Sequence, residues 1–134
     1  MPSLLEDKDE IRELMARYCM LFDSGAFEEW LTLFTDDGAF DVRGMGRFAG
    51  HDQLRSFLRN VPLTDGQPLM RHYVMNEIIE VEGDHASARS YVLVARGGSR
   101  LELSVAGRYE DLLRRVDRRW RFAQRTAYLD FMNR

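Results

Sequence analysis

A chain of 134 residues fits one domain, and folding at this size buries roughly two-thirds of the surface exposed by the unfolded chain. Hydrophobic residues make up 45% and charged residues 31%, with 10 Gly and 3 Pro, which excludes disordered, collagen-like and low-complexity chains. A formal net charge of -3 supplies no global field toward nucleic acid or an anionic membrane. The lone Cys19 excludes an intrachain disulfide, a cysteine-rich zinc site and an iron-sulfur cluster held by this chain alone. No apolar run nears the ~20 residues of a membrane span and no signal-like segment opens the sequence, so a cytoplasmic protein is expected.

Asp7 with Glu10 three residues on reads as a capping box, and Ile11, Leu14, Met15, Tyr18 and Phe22 follow at helical spacing. This predicts a first helix from about Asp7 to Phe22. Asp23-Ser24-Gly25 ends it, and Phe27, Trp30, Leu31 and Phe34 form the stripe of a second, shorter helix. Thr35 to Gly38 reads as a turn and Ala39 to Arg43 as a strand. Gly44-Met45-Gly46 reverses into a short partner around Arg47 to Ala49, and Asp52 to Leu58 is a third helix. After a loop from Val61 to Leu69 the pattern changes to period 2. Strands are expected at Met70 to Glu82, His85 to Arg96, Arg100 to about Arg114, and Trp120 to Phe131. The order predicts a single α+β domain, residues 1–134, with three N-terminal helices packed on a strongly curved, mostly antiparallel sheet.

Asp23 stands at a helix end, where the negative pole of the macrodipole disfavours a carboxylate by ~0.3–1 kcal/mol. Its neighbours Met20, Leu21, Phe22, Ala26 and Phe27 are apolar. Turned inward, Asp23 is a candidate proton carrier; turned outward, it stabilises the Asp23-Ser24-Gly25 turn through local bonds. His72 shares a strand face with Val74, Asn76 and Ile78, an uncharged stretch that suits either a pocket wall or a satisfied core histidine. An unperturbed imidazole titrates near pH ~6.5 and so exchanges a proton near neutrality. Tyr18 falls on the apolar stripe of the first helix, as core or as a hydroxyl donor. Asn76 is a substrate contact or an amide closing a sheet network, and Tyr128 shares a face with Trp120, Phe122, Gln124 and Thr126 that fills or lines a pocket.

The segments Arg17-Tyr18 to Phe22-Asp23, Phe27 to Gly38, Arg71 to Asn76, Gly107 to Asp111 and Trp120-Arg121-Phe122 together resemble the nuclear-transport-factor-2-like superfamily. Within it they are similar to the SnoaL-like group that includes scytalone dehydratase. The resemblance implies a cone-shaped domain, a curved sheet wrapped around helices, an apolar pocket and a homodimer or homotrimer. Enzymes of the group pair an aspartate at this point of the first helix with a histidine on this strand, which corresponds to Asp23 and His72. Tyr18, five residues before Asp23, matches a tyrosine of the bile-acid dehydratase branch that polarises a substrate oxygen.

The function implied is acid/base chemistry of dehydratase, isomerase or polyketide-cyclase type on a small hydrophobic molecule bearing a carbonyl or phenol. His72 is expected as general base, Asp23 as its orienting partner or acid and Tyr18 as donor, with Asn76, Tyr128, Phe22, Trp30, Phe40 and Val42 around the substrate. No cofactor, metal, nucleic acid or membrane partner is expected. Scytalone dehydratase carries a second catalytic histidine without a counterpart here, since His85 falls in a hairpin and His51 at the start of the third helix. Its first-strand tyrosine is replaced by Phe40 or Val42. Glu28 to Gly38, Gly107 to Asp117, Trp120-Arg121-Phe122 and Arg125 also resemble the small β subunit of aromatic-ring-hydroxylating dioxygenases, which supports a large subunit holding a Rieske cluster and iron. A hydrophobic-ligand-binding module is the third alternative. The Arg114, Arg115, Arg118, Arg119 and Arg121 cluster reads as a solvated turn.

Overall fold

In the computed structural model, which describes residues 1–133, the elements run α1 (Leu4–Asp23), α2 (Phe27–Leu31), β1 (Phe34–Val42), β2 (Gly46–Ala49), α3 (His51–Arg59), β3 (Met70–Glu82), β4 (His85–Arg96), β5 (Glu102–Val116) and β6 (Arg119–Met132). The helices pack on a six-stranded sheet of order β2-β1-β6-β5-β4-β3. The pairs are antiparallel except β1 with β6, which is parallel. Among the described residues no helix is long and apolar enough to cross a membrane.

The first helix starts earlier than its apolar stripe suggests. Ser3 is the cap: its hydroxyl accepts from the Glu6 N–H and the Glu6 carboxylate accepts from the Ser3 N–H, both at 3.1 Å. Asp7, expected as the cap, instead lies buried and accepts from Arg115 Nη1 at 2.6 Å and Trp120 Nε1 at 3.1 Å, tying the first turns of α1 to the β5–β6 hairpin. Ile11, Leu14, Met15, Tyr18, Cys19 and Phe22 form the buried stripe. At the other end, the Gly25 N–H bonds the Phe22 carbonyl and the Ala26 N–H bonds Leu21. Gly25 has φ +79, and a Cβ there would lie 2.2 Å from the Gly66 carbonyl oxygen, so only glycine lets the chain turn this closely past the loop before β3.

The second helix is a five-residue turn, because Phe34 opens β1 instead of closing α2. The expected turn from Thr35 to Gly38 lies inside β1 as an irregularity, where β1 advances from Phe34 to Ala39 while β6 advances only from Phe122 to Gln124. A Thr35 hydroxyl bond to Asp37 at 2.9 Å stabilises it. Around the α1–sheet contact, Tyr18, Phe22, Trp30, Phe34, Phe40 and Phe122 form a network of tilted and edge-on ring pairs 4.9 to 6.4 Å apart. Each such pair contributes about 0.5–1.5 kcal/mol beyond its burial.

Two β-bulges decide which residues face this core. On β3, Met75 pairs with Tyr91 and Ile78 with Arg89, so three steps on one strand match two on the other. Asn76 absorbs the extra residue with φ 60. Before the bulge Met70, His72 and Val74 face inward; beyond it Ile79 and Val81 do. On β6, Phe122 pairs with Leu113 and Gln124 with Leu112, so Ala123 is the extra residue. Trp120 and Phe122 face inward before it, and Arg125, Ala127 and Leu129 after it.

Candidate active site

The last residue of α1 and the third residue of β3 meet although 49 positions separate them. One carboxylate oxygen of Asp23 lies 2.6 Å from His72 Nδ1, and the other accepts the His72 backbone N–H at 2.8 Å. Asp23 is 5% exposed and the His72 side chain 13%. The penalty of a carboxylate at a helix C-terminus, ~0.3–1 kcal/mol, is outweighed by two short bonds to a charged acceptor at about 1.5–3 kcal/mol each. Asp23 therefore turns inward, and the turn beyond it is held by backbone bonds and Gly25. With Nδ1–H donated to Asp23, the ring carries its free lone pair on Nε2, which makes that nitrogen the basic one. Phe22 packs edge-on against the imidazole, ring centroids 5.3 Å apart, and restricts its rotation.

His72 stands in the wall of a cavity of about 400 Å³ between α1, α3 and the concave side of the sheet, open to solvent past Met45, Pro62 and Arg96. The lining is chiefly apolar, with Phe22, Phe40, Phe48, Phe57, Val92 and Leu129 among it. Its polar groups are His72, the hydroxyls of Tyr18, Tyr109 and Ser104, and Asn60 and Arg96. His72 and Asp23 also border a groove of about 600 Å³ between α1 and β3, shared with Arg12, Arg71 and Glu77. The dyad thus lies between an apolar chamber and a wetter surface.

Of the residues expected around a substrate, Tyr18, Phe22, Phe40 and Val42 line the cavity with His72. Three do not. Trp30 has no exposed surface and packs within the aromatic core, 5.3 Å from Tyr18 and 4.9 Å from Phe34 between ring centroids. Asn76 is exposed, because the bulge it occupies ends the alternation that would have placed it beside His72. Tyr128 lies on the outer face, stacked with Arg108 at 4.3 Å, because the Ala123 bulge exchanges the faces of β6. His51 approaches the Phe34 carbonyl through Nε2 at 3.4 Å, and His85 is exposed at the start of β4, so neither joins His72.

Sequence reasoning missed a buried polar group beneath the cavity. Asp111 and Arg125 face each other across β5 and β6 and form a two-pronged ion pair at 2.8 and 3.1 Å with no exposed side-chain surface. The guanidinium carbon lies 3.6 Å from the Tyr109 ring centroid and 4.3 Å from that of Tyr18. Burial pushes both phenols above the ordinary tyrosine range, with Arg125 opposing, so both hydroxyls keep their protons at neutral pH. Burial alone lowers the Arg125 guanidinium, but Asp111 and the two tyrosines reverse this and hold it charged. A signal was present: Asp111 shares strand parity with Tyr109 and Leu113, a carboxylate on an apolar face. Cys19, on the buried face of α1, is inert as a nucleophile, since burial pushes its thiol up to about 11.

The cone of helices and curved sheet is the cystatin-like, nuclear-transport-factor-2-like fold. The chain belongs to the family of the SnoaL-like domain, which matches residues 3–126. A nuclear-transport-factor-2-like protein of cystatin-like fold from Novosphingobium aromaticivorans is 31% identical, with 95% of this chain and 84% of that one covered and a TM-score of 0.84. A second protein of that organism, described as a candidate aromatic ring hydroxylase, is 30% identical over 97% of this chain and 93% of its own, also with a TM-score of 0.84. A candidate scytalone dehydratase from the same organism, 22% identical over 96% of this chain and 87% of that one, shares the fold at a TM-score of 0.84.

Proposed function

We propose that this chain is an acid/base enzyme of dehydratase, isomerase or cyclase kind, acting without an organic cofactor or metal on a small hydrophobic compound that bears a carbonyl or phenol. The observation that carries the reading is the Asp23–His72 contact at 2.6 Å in the wall of an apolar cavity. Asp23 fixes the ring tautomer and stabilises the imidazolium once formed, as the carboxylate of a catalytic triad does. His72 Nε2 takes a proton from a carbon next to the carbonyl, and the electron pair moves onto the carbonyl oxygen. The imidazolium then returns the proton to a leaving hydroxyl, to another carbon or to a ring-closing intermediate, giving dehydration, isomerisation or cyclisation. Membership of the SnoaL-like family supports this class of chemistry.

The test is deuterium exchange into a panel of hydrophobic ketones and phenol-ketones incubated with the protein in D₂O, followed by mass spectrometry. Wild type is expected to label at least one member at the carbon next to the carbonyl, and His72→Ala to label it roughly 10²- to 10⁴-fold more slowly. Equal labelling by both proteins overturns the mechanism. The relative described as a candidate aromatic ring hydroxylase favours a second reading, a support subunit for a large iron-bearing partner; co-purification of such a subunit at fixed stoichiometry selects it. In either reading the exposed Tyr73, Tyr91, Leu103 and Leu112 of the sheet suit covering by a second or third copy of this chain, which light scattering on the purified protein tests.

A further inference from the structure

Arg125 has no exposed surface, and neither has the side chain of its partner Asp111. Its Nε and Nη2 donate to the Asp111 carboxylate, while Nη1 is buried without a partner among the described residues. A pair of apolar residues at these facing positions of β5 and β6 would join the strands at least as well, since removing two charges from water is costly. The guanidinium is also enclosed by aromatic faces, those of Tyr109, Tyr18 and Phe122, at 3.6, 4.3 and 4.4 Å from their ring centroids. Two of these three rings, Tyr18 and Tyr109, continue upward to line the cavity that His72 faces. A fixed cation therefore sits directly behind two hydroxyl-bearing walls of the chamber.

We propose that Tyr109 is the hydrogen-bond donor that receives the ligand's carbonyl or phenol oxygen, with Tyr18 and Arg125 as its positioning residues. The assignment rests on the acid/base reading of the cavity and adds the place where charge collects. As His72 withdraws a proton, the electron pair left on carbon moves to the carbonyl oxygen, and a preorganised donor there is worth most in a site from which water is excluded. Tyr18 and Tyr109 meet edge-on with ring centroids 5.8 Å apart, and of the two Tyr109 lies nearer the guanidinium, 3.6 Å against 4.3 Å. The cation under both rings draws electron density from them and makes the terminal O–H the stronger donor. No proton leaves Tyr109 in this step: the proton moves from carbon to His72, and Tyr109 stabilises the oxygen by hydrogen bonding alone.

The probes are 2-naphthol and naphthalene, one ring system with and without the oxygen, titrated calorimetrically into the purified full chain. Wild type is expected to bind 2-naphthol about tenfold more tightly than naphthalene, the worth of one good buried hydrogen bond. Tyr109→Phe should reduce that ratio to about threefold or less with naphthalene affinity unchanged, and Tyr18→Phe should leave it intermediate. Arg125→Lys, which keeps the charge, should retain most of the ratio, and Arg125→Met should lose it. A purely structural ion pair would weaken both probes alike. Equal weakening in Tyr109→Phe, an unchanged ratio, or no binding of either probe to wild type overturns the assignment. If circular dichroism shows the Arg125 variants unfolded, the two tyrosine variants decide alone. His72→Ala should leave the ratio within about twofold. A normal ratio in a protein whose deuterium exchange is indifferent to His72 would remove the acid/base reading and keep the oxygen site.

Discussion

Two aspartates of one helix reach the sheet from opposite ends of α1. Asp7 and Asp23 are 16 residues apart, about 24 Å along the axis at 1.5 Å per residue, and both are buried. Asp7 meets Arg115 and the Trp120 indole, with Arg115 held in turn by Asp84 at 3.0 Å. Asp23 meets His72 through the ring and the backbone. The first partner is a guanidinium that never gives up its proton, so the contact can only be a lock between helix and hairpin. The second is an imidazole, whose ring nitrogens can either donate or accept a proton, at the wall of a cavity, so the same type of contact can do chemistry. The helix supplies the same carboxylate twice, and the partner differs.

Substitutions can break this division or sharpen it. The largest effect is expected at His72, where His72→Gln should slow exchange by roughly 10²- to 10⁴-fold with little change in melting temperature. Asp23→Asn comes next, with a loss of roughly 10²-fold or more, because an amide no longer fixes the tautomer. Nitrogen-15 spectra of the ring should show the Nδ1–H form in wild type and a mixture in the variant. An unmixed tautomer there would detach Asp23 from the mechanism.

Asp7→Asn should leave exchange unchanged and lower the melting temperature by on the order of 5 °C. If it instead slows exchange as much as Asp23→Asn does, the contrast between lock and dyad is lost. Its pH dependence has a defined sign. Bonding to Arg115, against the effect of burial, holds the Asp7 carboxyl below the ordinary carboxylate range. Its folded pKa is thus below the unfolded one, and the stability it contributes is present above pH ~4 and lost as the pH falls through the lower folded value. The gap in melting temperature between wild type and Asp7→Asn should therefore shrink from about pH 5 to pH 2. The smallest effects belong to Asn76→Gly and Tyr128→Phe, each within about 0.5 kcal/mol of wild-type stability and without change in probe binding, since both side chains lie outside the cavity.

Period alone located most elements. The stripe Ile11, Leu14, Met15, Tyr18 and Phe22 marked α1, and the change to period 2 after Leu69 marked the long strands, because each reflects one buried face of a regular backbone. Element ends were less legible. Ser3 caps α1 where Asp7 was expected, since Asp7 is engaged by a residue 108 positions away that local pattern does not contain. The parallel pairing of β1 with β6 is of the same kind, a contact between distant segments.

The candidate site divides in the same way. Residue type and family resemblance singled out Asp23, His72 and Tyr18 from the sequence, because a carboxylate among apolar neighbours and a histidine on an uncharged face already stand out. Alternation, followed across two bulges, misplaced Asn76 and Tyr128, since one extra residue in a strand moves every later side chain to the other face. The family resemblance implied that Asp23 pairs with His72, and the tertiary structure supplied the two contacts that join them; it alone decided that Arg125 and Asp111 meet at zero exposure beneath Tyr18 and Tyr109. Local sequence fixes which way a side chain can point within its own element; which elements approach, and what charge is buried between them, depends on the packing of the whole chain.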